Sequence, residues 1–302
     1  MRKHVSRVTR KLRTLLGGAT AAPTTASAAA RPLSPIERYF AGGRIPWSDG
    51  YSKYKNQLLG PVLADDTQLD RFARGERLPD GYGPRIDERM VEYPWALSRL
   101  RTLGGPILDA GSTFSADLVL DLPYIRGRDI VIYTFETDVV VNRPGVRFVY
   151  GDLRAVAFAD ESFATIVCIS TLEHVGMGQS FSYSAARPYP EARPEDALIA
   201  LREFRRVLQP GGRLLLTIPY GQREDHGWLQ QFDAEGIRQL IEGFGGTVRS
   251  ETYYRYRADG WQVASADACA DARYYNVHAT PATEPDGAAA ARAVCCLELV
   301  RS

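Results

Sequence analysis

The sequence predicts an α/β fold, a doubly wound and mostly parallel sheet preceded by an N-terminal helical extension. Three observations carry that expectation. From residue 105 onward, apolar runs of strand length alternate with helical stretches. Each run ends in polar or small residues, as strands do where they meet loops. The helical stretches between them hold their apolar residues on one face.

Taken in order, residues 1–33 read as a basic flexible tail and linker. Arg2, Lys3, Arg7, Arg10, Lys11 and Arg13 put six positive charges before residue 14, and no acid occurs until Glu37. Val5, Val8, Leu12, Leu15 and Leu16 recur at helical spacing opposite them. That pattern suits either an amphipathic helix over residues 1–16 resting on an anionic membrane surface, or a disordered basic tail. Residues 17–33 are small, uncharged until Arg31 and broken by proline, as linkers are. Residues 34–100 read as a helical and irregular cap, with one helix over 51–65. A second is expected in IDERMVEYPWALSRL, where Ile86, Met90, Tyr93, Leu97 and Leu100 form a stripe despite Pro94. It is expected to lie against the next domain, with Glu88 and Glu92 on a solvated face in preference to the alternative that they face a ligand.

Residues 101–302 hold the sheet. PILDAGS, DIVIYTFE, VRFVYGD, FATIVCIS and GRLLLTIPYG are five candidate strands. Before the fifth, RPEDALIALREFRRVL is helical, with Pro194 suited to a first turn and Ala197, Leu201, Phe204 and Leu208 on one face. Gln209-Pro210-Gly211-Gly212 is expected to stop it. FDAEGIRQLIEGFGG is a further helix, capped by Asp233 and ended by Gly245-Gly246. TVRSETYYRY and AVCCLELV complete the strands. In such a sheet the ligand crevice lies beyond the carboxyl ends of the strands.

The 302 residues carry 37 Lys plus Arg against 36 Asp plus Glu, a net charge of +1 that gives no reason to expect a nucleic-acid partner. Setting the six tail cations aside leaves the rest of the chain at −5. Cys168, Cys269, Cys295 and Cys296 form no CxxC pair and read as reduced structural thiols, not as a zinc site. No apolar run approaches the ~18 residues of a membrane span, and Leu15-Leu16-Gly17-Gly18 is too short for a signal-peptide core. A cytoplasmic protein is expected, peripheral to the inner face of the membrane if the tail binds there.

The strand ends carry the chemistry. Asp109 and Gly111 close the first strand, and a carboxylate there suits a cationic amine better than a phosphate. Ser112, Thr113, Phe114 and Ser115 follow, so the GxGxxG fingerprint of nicotinamide and flavin enzymes is missing. Glu136, with Asp138 as its rival, follows the second strand where an acid can accept ribose hydroxyls. Asp152 follows the third and could accept from an exocyclic amine. Taken singly, each acid is as readily a loop-capping carboxylate.

Together, ILDAGS, the acid after the second strand, GDL, FADESFATIVCISTLEHVG and LREFRRVLQPGGRLLLTIPYG resemble the class I S-adenosylmethionine-dependent methyltransferases, in particular the widespread small-molecule type. The likeness spans roughly residues 104–250. With DERMVEYPW upstream, the chain also resembles a subgroup associated with glycan and cell-envelope genes. The resemblance implies a seven-stranded Rossmann-like sheet and S-adenosyl-L-methionine as cofactor. It further implies that Asp109 and Gly111, with Ser112 in the same turn, hold the amino-acid portion, Glu136 the ribose, and Asp152 with Leu153 the adenine. Ser170 and Thr171 would flank the sulfonium. Ser112 and Thr113 depart from the family, whose turn usually offers further glycines. The activity implied is methyl transfer to a hydroxyl of a small molecule or glycan; the alternative is a non-catalytic binding or scaffold protein that kept the fold.

An alcohol acceptor must lose a proton, and two histidines are candidates to take it. His174 follows the fourth strand beside Glu173, although EHV in this family class also supports the loop. His226 lies in YGQREDHGWLQQF with Tyr220, Asp225 and Trp228, in a loop expected to shape the acceptor pocket, the alternatives being a solvent-exposed loop histidine and, for Asp225, the cap of a local turn. Glu173, Tyr220 and Trp228 are thus expected at the substrate. The Ser- and Tyr-rich segment between Gly176 and Pro194 has the length of a lid, with Tyr183 and Tyr189 as stacking candidates. Trp261, Tyr274 and Tyr275 either cover the pocket or pack a hairpin. No carboxylate cluster reads as a magnesium site, so no metal dependence is expected.

Overall fold

A computed structural model describes residues 31–135, 142–178, 191–276 and 283–302. Residues 34–302 form one compact unit. The 1–16 helix expected at a membrane, and Glu136, Asp138, Tyr183 and Tyr189, lie outside the described residues.

The cap begins with α1 (Pro35–Ala41), whose start is closed reciprocally: Glu37 N donates to Ser34 Oγ at 3.2 Å and Ser34 N to Glu37 Oε2 at 2.6 Å. Next come α2 (Tyr51–Ala64) and α3 (Asp66–Arg74), the latter capped by Asp65, which accepts from Thr67 N at 2.8 Å. Helix α4 (Arg89–Leu100) contains Pro94, which should break it. The N–H that proline lacks would have bonded to the carbonyl of Met90, four residues back. Tyr82 Oη donates to that carbonyl instead at 2.7 Å, so the orphaned acceptor is filled and the helix continues. All residues of α4 except Arg89 and Tyr93 are buried, because it lies between the sheet and α2 and α3. The solvated face expected for Glu88 and Glu92 does not exist; both are buried.

The main sheet holds β1 (Ile107–Ala110), β2 (Ile130–Thr134), β3 (Val146–Tyr150), β4 (Phe163–Ile169) and β5 (Leu208–Pro219), all parallel. Short helix α5 (Asp117–Leu120) lies between β1 and β2, and α6 (Ala197–Val207) precedes β5. After β5, a two-rung ladder of β6 (Glu224–Asp225) and β7 (Gln230–Gln231) leads to α7 (Ala234–Phe244). Asp233 caps α7, accepting from Gly236 N at 2.8 Å, and left-handed Gly245 ends it. Then follow β8 (Thr247–Arg257), β9 (Gly260–Ala264), α8 (Ala266–Cys269) and β10 (Ala293–Val300). The strand order is β3-β2-β1-β4-β5-β10-β8-β9, with β10 antiparallel to both β5 and β8. The eighth strand, against seven expected, is β9, which pairs with β8 as an antiparallel edge.

Strand β5 also begins earlier than expected. Leu208 already pairs with Phe163, and the register then jumps to Arg213 opposite Thr165, so the Pro-Gly-Gly is absorbed in an irregularity inside the strand. Side chains alternate faces along the central strands. Ile107, Ile130, Ile132 and Val167 pack with the cap helices, while Leu108, Val131, Ile166 and Cys168 pack with α6 and α7. The four cysteines are buried and none forms a disulfide. Among the described residues, no helix is long and apolar enough to cross a membrane.

The chain leaves β1 toward β2 and β3, then returns to β4 on the other side of β1. A topological switch point therefore lies between the carboxyl ends of β1 and β4, and α4 closes over it.

Candidate functional site

At the end of β1, Asp109 is fully buried. Its Oδ2 accepts from Phe114 N at 2.7 Å, so one oxygen caps the following turn. Its Oδ1 is buried with no hydrogen-bond partner. Burial pushes the Asp109 carboxyl up to about 7, against the pull of the Phe114 and Thr113 N–H groups. Gly111 has φ 126°, and a Cβ there would lie 2.0 Å from Thr171 Oγ1, so the turns after β1 and β4 touch where only glycine fits. Ser112 is left-handed as well, at φ 79°, a conformation that costs a residue with a side chain about 1 kcal/mol. The turn has the shape a second glycine takes, with serine in the place.

The turn after β4 is tied to the cap. Ser170 Oγ donates to Glu92 Oε1 at 2.7 Å, and Thr217 Oγ1 from β5 donates to the same oxygen at 2.8 Å. Arg89 Nη1 donates to Glu92 Oε2 and lies 3.3 Å from Glu88 Oε1. Glu88 Oε2 is buried without a partner, and burial pushes this carboxyl up to about 8 despite Arg89. Asp87 is satisfied by Lys55 Nζ at 2.7 Å and Tyr51 Oη at 3.1 Å.

Glu173 is buried, its Oε2 has no partner, and burial holds it well above the ordinary glutamate range. His174 Nδ1 lies 2.9 Å from the Trp228 carbonyl. A carbonyl only accepts, so Nδ1 carries the proton and Nε2 presents a lone pair. Burial lowers this imidazole to about 4, leaving it neutral at physiological pH. Its Nε2 is 4.0 Å from Glu173 Oε1. The Trp228 indole stacks on the His174 ring at 5.3 Å, and Tyr274 stands edge-on to Trp228 at 6.1 Å. Tyr274 is raised by burial and by the nearby Glu88 and Glu173 carboxyls.

Asp109, Gly111, Ser112, Ser170, Thr171, Glu173, His174 and Trp228 are thus linked by contacts around the switch point. Other expected residues stand differently. Tyr220 is fully buried with its ring against Tyr253 at 4.7 Å, a core position on the α6 and α7 side instead of a pocket wall. His226 packs on Tyr274 at 5.3 Å, with Nε2 3.4 Å from Glu224 Oε2. Asp225 caps its own turn through Gly227 N at 2.7 Å. Both oxygens of Asp152 are taken by Arg154, through Nε at 3.0 Å and Nη2 at 2.6 Å. Burial would raise Asp152, but those bonds outweigh it and hold the carboxyl below its usual range. Arg154 also binds Glu191 and Asp196, each at 2.7 Å, which fastens the Asp152 turn to the start of α6. Leu153 is buried in the core beside it. Trp261 packs the β8–β9 hairpin onto the cap, donating from Nε1 to the Ile86 carbonyl at 2.9 Å. Glu88, Arg89, Glu92, Thr217 and Tyr274 join the site from outside the strand-end pattern. The signal available for the first three was a run of charges inside a helix otherwise apolar on every face.

Residues 131–216, from β2 into β5, match the family model described as a methyltransferase domain. Among solved structures the chain is similar to an S-adenosylmethionine-dependent methyltransferase from Mesorhizobium loti, at 11% identity over 68% of this chain and 97% of the other, with a TM-score of 0.43. It is also similar to the N-methyltransferase NodS from Bradyrhizobium japonicum in complex with S-adenosyl-L-homocysteine, at 12% identity over 71% of this chain and 88% of that one, TM-score 0.40. A protein from Pyrococcus horikoshii matches at 17% identity over 60% and 92% of the two chains, TM-score 0.40. No curated protein matches the chain.

Proposed function

We propose that this chain, a member of the class I S-adenosylmethionine-dependent methyltransferase superfamily, moves a methyl group from S-adenosyl-L-methionine to a hydroxyl of a small molecule or glycan. The observation that carries the acceptor side is His174, whose tautomer is fixed by the Trp228 carbonyl so that an unprotonated Nε2 lies 4.0 Å from Glu173 Oε1.

The residues present fit the cofactor. Asp109 keeps one buried oxygen unpartnered at the end of β1, as a site for an ammonium group requires, and Gly111 leaves open the space a side chain would fill. Asp109, Gly111 and Ser112 would hold the amino-acid end, Leu153 would supply an apolar edge for the adenine, and Ser170 and Thr171 would flank the sulfur. Asp152, already engaged by Arg154, would act on the adenine through its fixed charge and turn geometry. When bound, the cofactor supplies a methyl group made electrophilic by positive sulfur. The protein's part is alignment and exclusion of water, with one proton to move. His174 Nε2 receives the proton that the acceptor hydroxyl loses as its oxygen takes the methyl group, and the Trp228 carbonyl holds the imidazole for that transfer. Trp228 and Tyr274 wall the acceptor side.

The competing reading, a protein that binds without catalysis, draws on Ser112 in the glycine turn and on the engagement of Asp152. Calorimetric titration with S-adenosylmethionine tests the proposal first. Binding is expected; no heat and no thermal shift at millimolar ligand overturns it. Methyl transfer to acceptor pools, lost on His174→Gln with cofactor binding retained, separates catalysis from binding alone.

A further inference from the structure

Five carboxyls surround the switch point: Asp87, Glu88 and Glu92 from the cap, Asp109 from β1 and Glu173 from the turn after β4. None is more than 6% exposed. Among the described residues, two cations pair with them, Lys55 with Asp87 and Arg89 with Glu88 and Glu92. Glu92 is completed by the Ser170 and Thr217 hydroxyls. Among the described residues, three of these carboxyls therefore keep a buried oxygen with no partner: Glu88 Oε2, Asp109 Oδ1 and Glu173 Oε2. Removal of a polar atom from water without compensation is costly, so three such atoms around one crevice mark a place built for a partner. Among the described residues, no three His, Cys, Asp or Glu side chains are placed to hold a metal ion.

We propose that Glu88 and Glu173, beside the Asp109 assigned to the ammonium group, form a charge-matching site that favours the sulfonium cofactor over the uncharged-sulfur product. The proposal rests on the methyltransferase reading above and adds to it a preference between cofactor and product set partly by the cap. S-adenosylmethionine carries one positive charge more than S-adenosylhomocysteine, and charges act strongly in a buried, poorly solvated centre. Arg89, 3.3 Å from Glu88 Oε1, also acts on Glu173, and the other titratable groups facing the three bring no further cation. Tyr93 and Tyr274 are raised by burial, as is Cys168, and His174 is neutral at physiological pH. Burial likewise raises all three carboxyls, Asp109 to about 7, Glu88 to about 8 and Glu173 well above the ordinary range, so protonated forms are populated before a ligand arrives. Arrival of a cation favours their ionised forms, so each acid that responds becomes a carboxylate and its proton passes to the buffer.

The test needs no acceptor. Titration of the full chain with S-adenosylmethionine and with S-adenosylhomocysteine, in buffers of differing ionisation heat at pH 7, counts the protons released by each. More protons are expected with the sulfonium ligand, and its affinity is expected to rise between pH 6 and pH 8.5 more steeply than that of the product. Glu88→Gln and Glu173→Gln, checked for folding by thermal unfolding, are expected to weaken S-adenosylmethionine about tenfold and the product less than about twofold. Equal proton release by the two ligands in the unmodified chain overturns the proposal, whatever the variants do. An unchanged affinity ratio in both folded variants also overturns it. Failure of both ligands to bind the unmodified chain overturns the cofactor reading itself, a distinct outcome.

Discussion

Glu92 is the point where the cap and the sheet are fastened, and its removal should be costly. In Glu92→Ala, the Ser170 and Thr217 hydroxyls lose their common acceptor and Arg89 loses its closest carboxylate. Breaking a buried ion pair from one side costs about 3–5 kcal/mol. Each hydroxyl left unsatisfied adds about 1 kcal/mol or more where water cannot reach it. A loss of about 5–7 kcal/mol is therefore expected, a large share of the ~5–15 kcal/mol that holds a typical domain. Glu92→Gln keeps the volume and one accepting oxygen and should lose about half as much. Urea unfolding read by tryptophan fluorescence measures both, with the slope expected to stay constant while the midpoint falls. A double-mutant cycle with Thr217→Val then isolates the single hydrogen bond, for which a coupling of about 1–2 kcal/mol is expected. A Glu92→Ala loss below about 1 kcal/mol, or additivity with Thr217→Val, refutes the reasoning.

Two substitutions should alter stability on opposite sides of neutrality. Burial depresses His174 from 6.5 to about 4, so stability is lost as pH falls through that window; His174→Gln should flatten the acid limb of thermal stability between pH 6.5 and 4. Burial raises Glu88 from 4.5 to about 8, so its contribution is lost as pH rises through about 8; Glu88→Gln should raise the melting temperature at pH 9 and change it little at pH 4. Gly111→Ala places a methyl against Thr171 and should cost at least about 2 kcal/mol in chemical unfolding, with loss of cofactor heat in calorimetry. Ser112→Gly relieves a left-handed serine and should leave stability unchanged or raise it by up to about 1 kcal/mol, read as a small rise in melting temperature.

The parts of the fold that sequence reveals are those whose signals are local. Asp233 caps α7 and Gly245 ends it because capping chemistry sits within a few residues of the helix it serves. The strand ends, with Asp109, Gly111, Ser170 and Glu173, followed from runs that close on polar residues. What escaped is long-range. Pro94 looks like a breaker until Tyr82 is found on the Met90 carbonyl. Glu92 reads as a solvated charge until Ser170, 78 residues away, and Thr217, 125 away, are seen to hold it. A helical stripe shows which face is apolar, but it cannot show that a polar face will be covered by hydroxyls from two other elements. The strand β9 was hidden for a similar reason, since five residues with two exposed turns of chain around them become a strand only beside β8.

The placement of β10 has a consequence for biosynthesis. Residues 293–300 insert between β5 and β8, both made earlier, and Glu298 of β10 takes the Arg99 guanidinium of the cap helix at 3.3 Å. Until those eight residues leave the ribosome, β5 and β8 face each other across an open slot with two unpaired edges. The parallel half can assemble during translation, yet the sheet and the helix above the crevice lock together only once residues 293–300 have emerged. Nascent chains halted before residue 293 should therefore be the form of this protein most in need of chaperone cover.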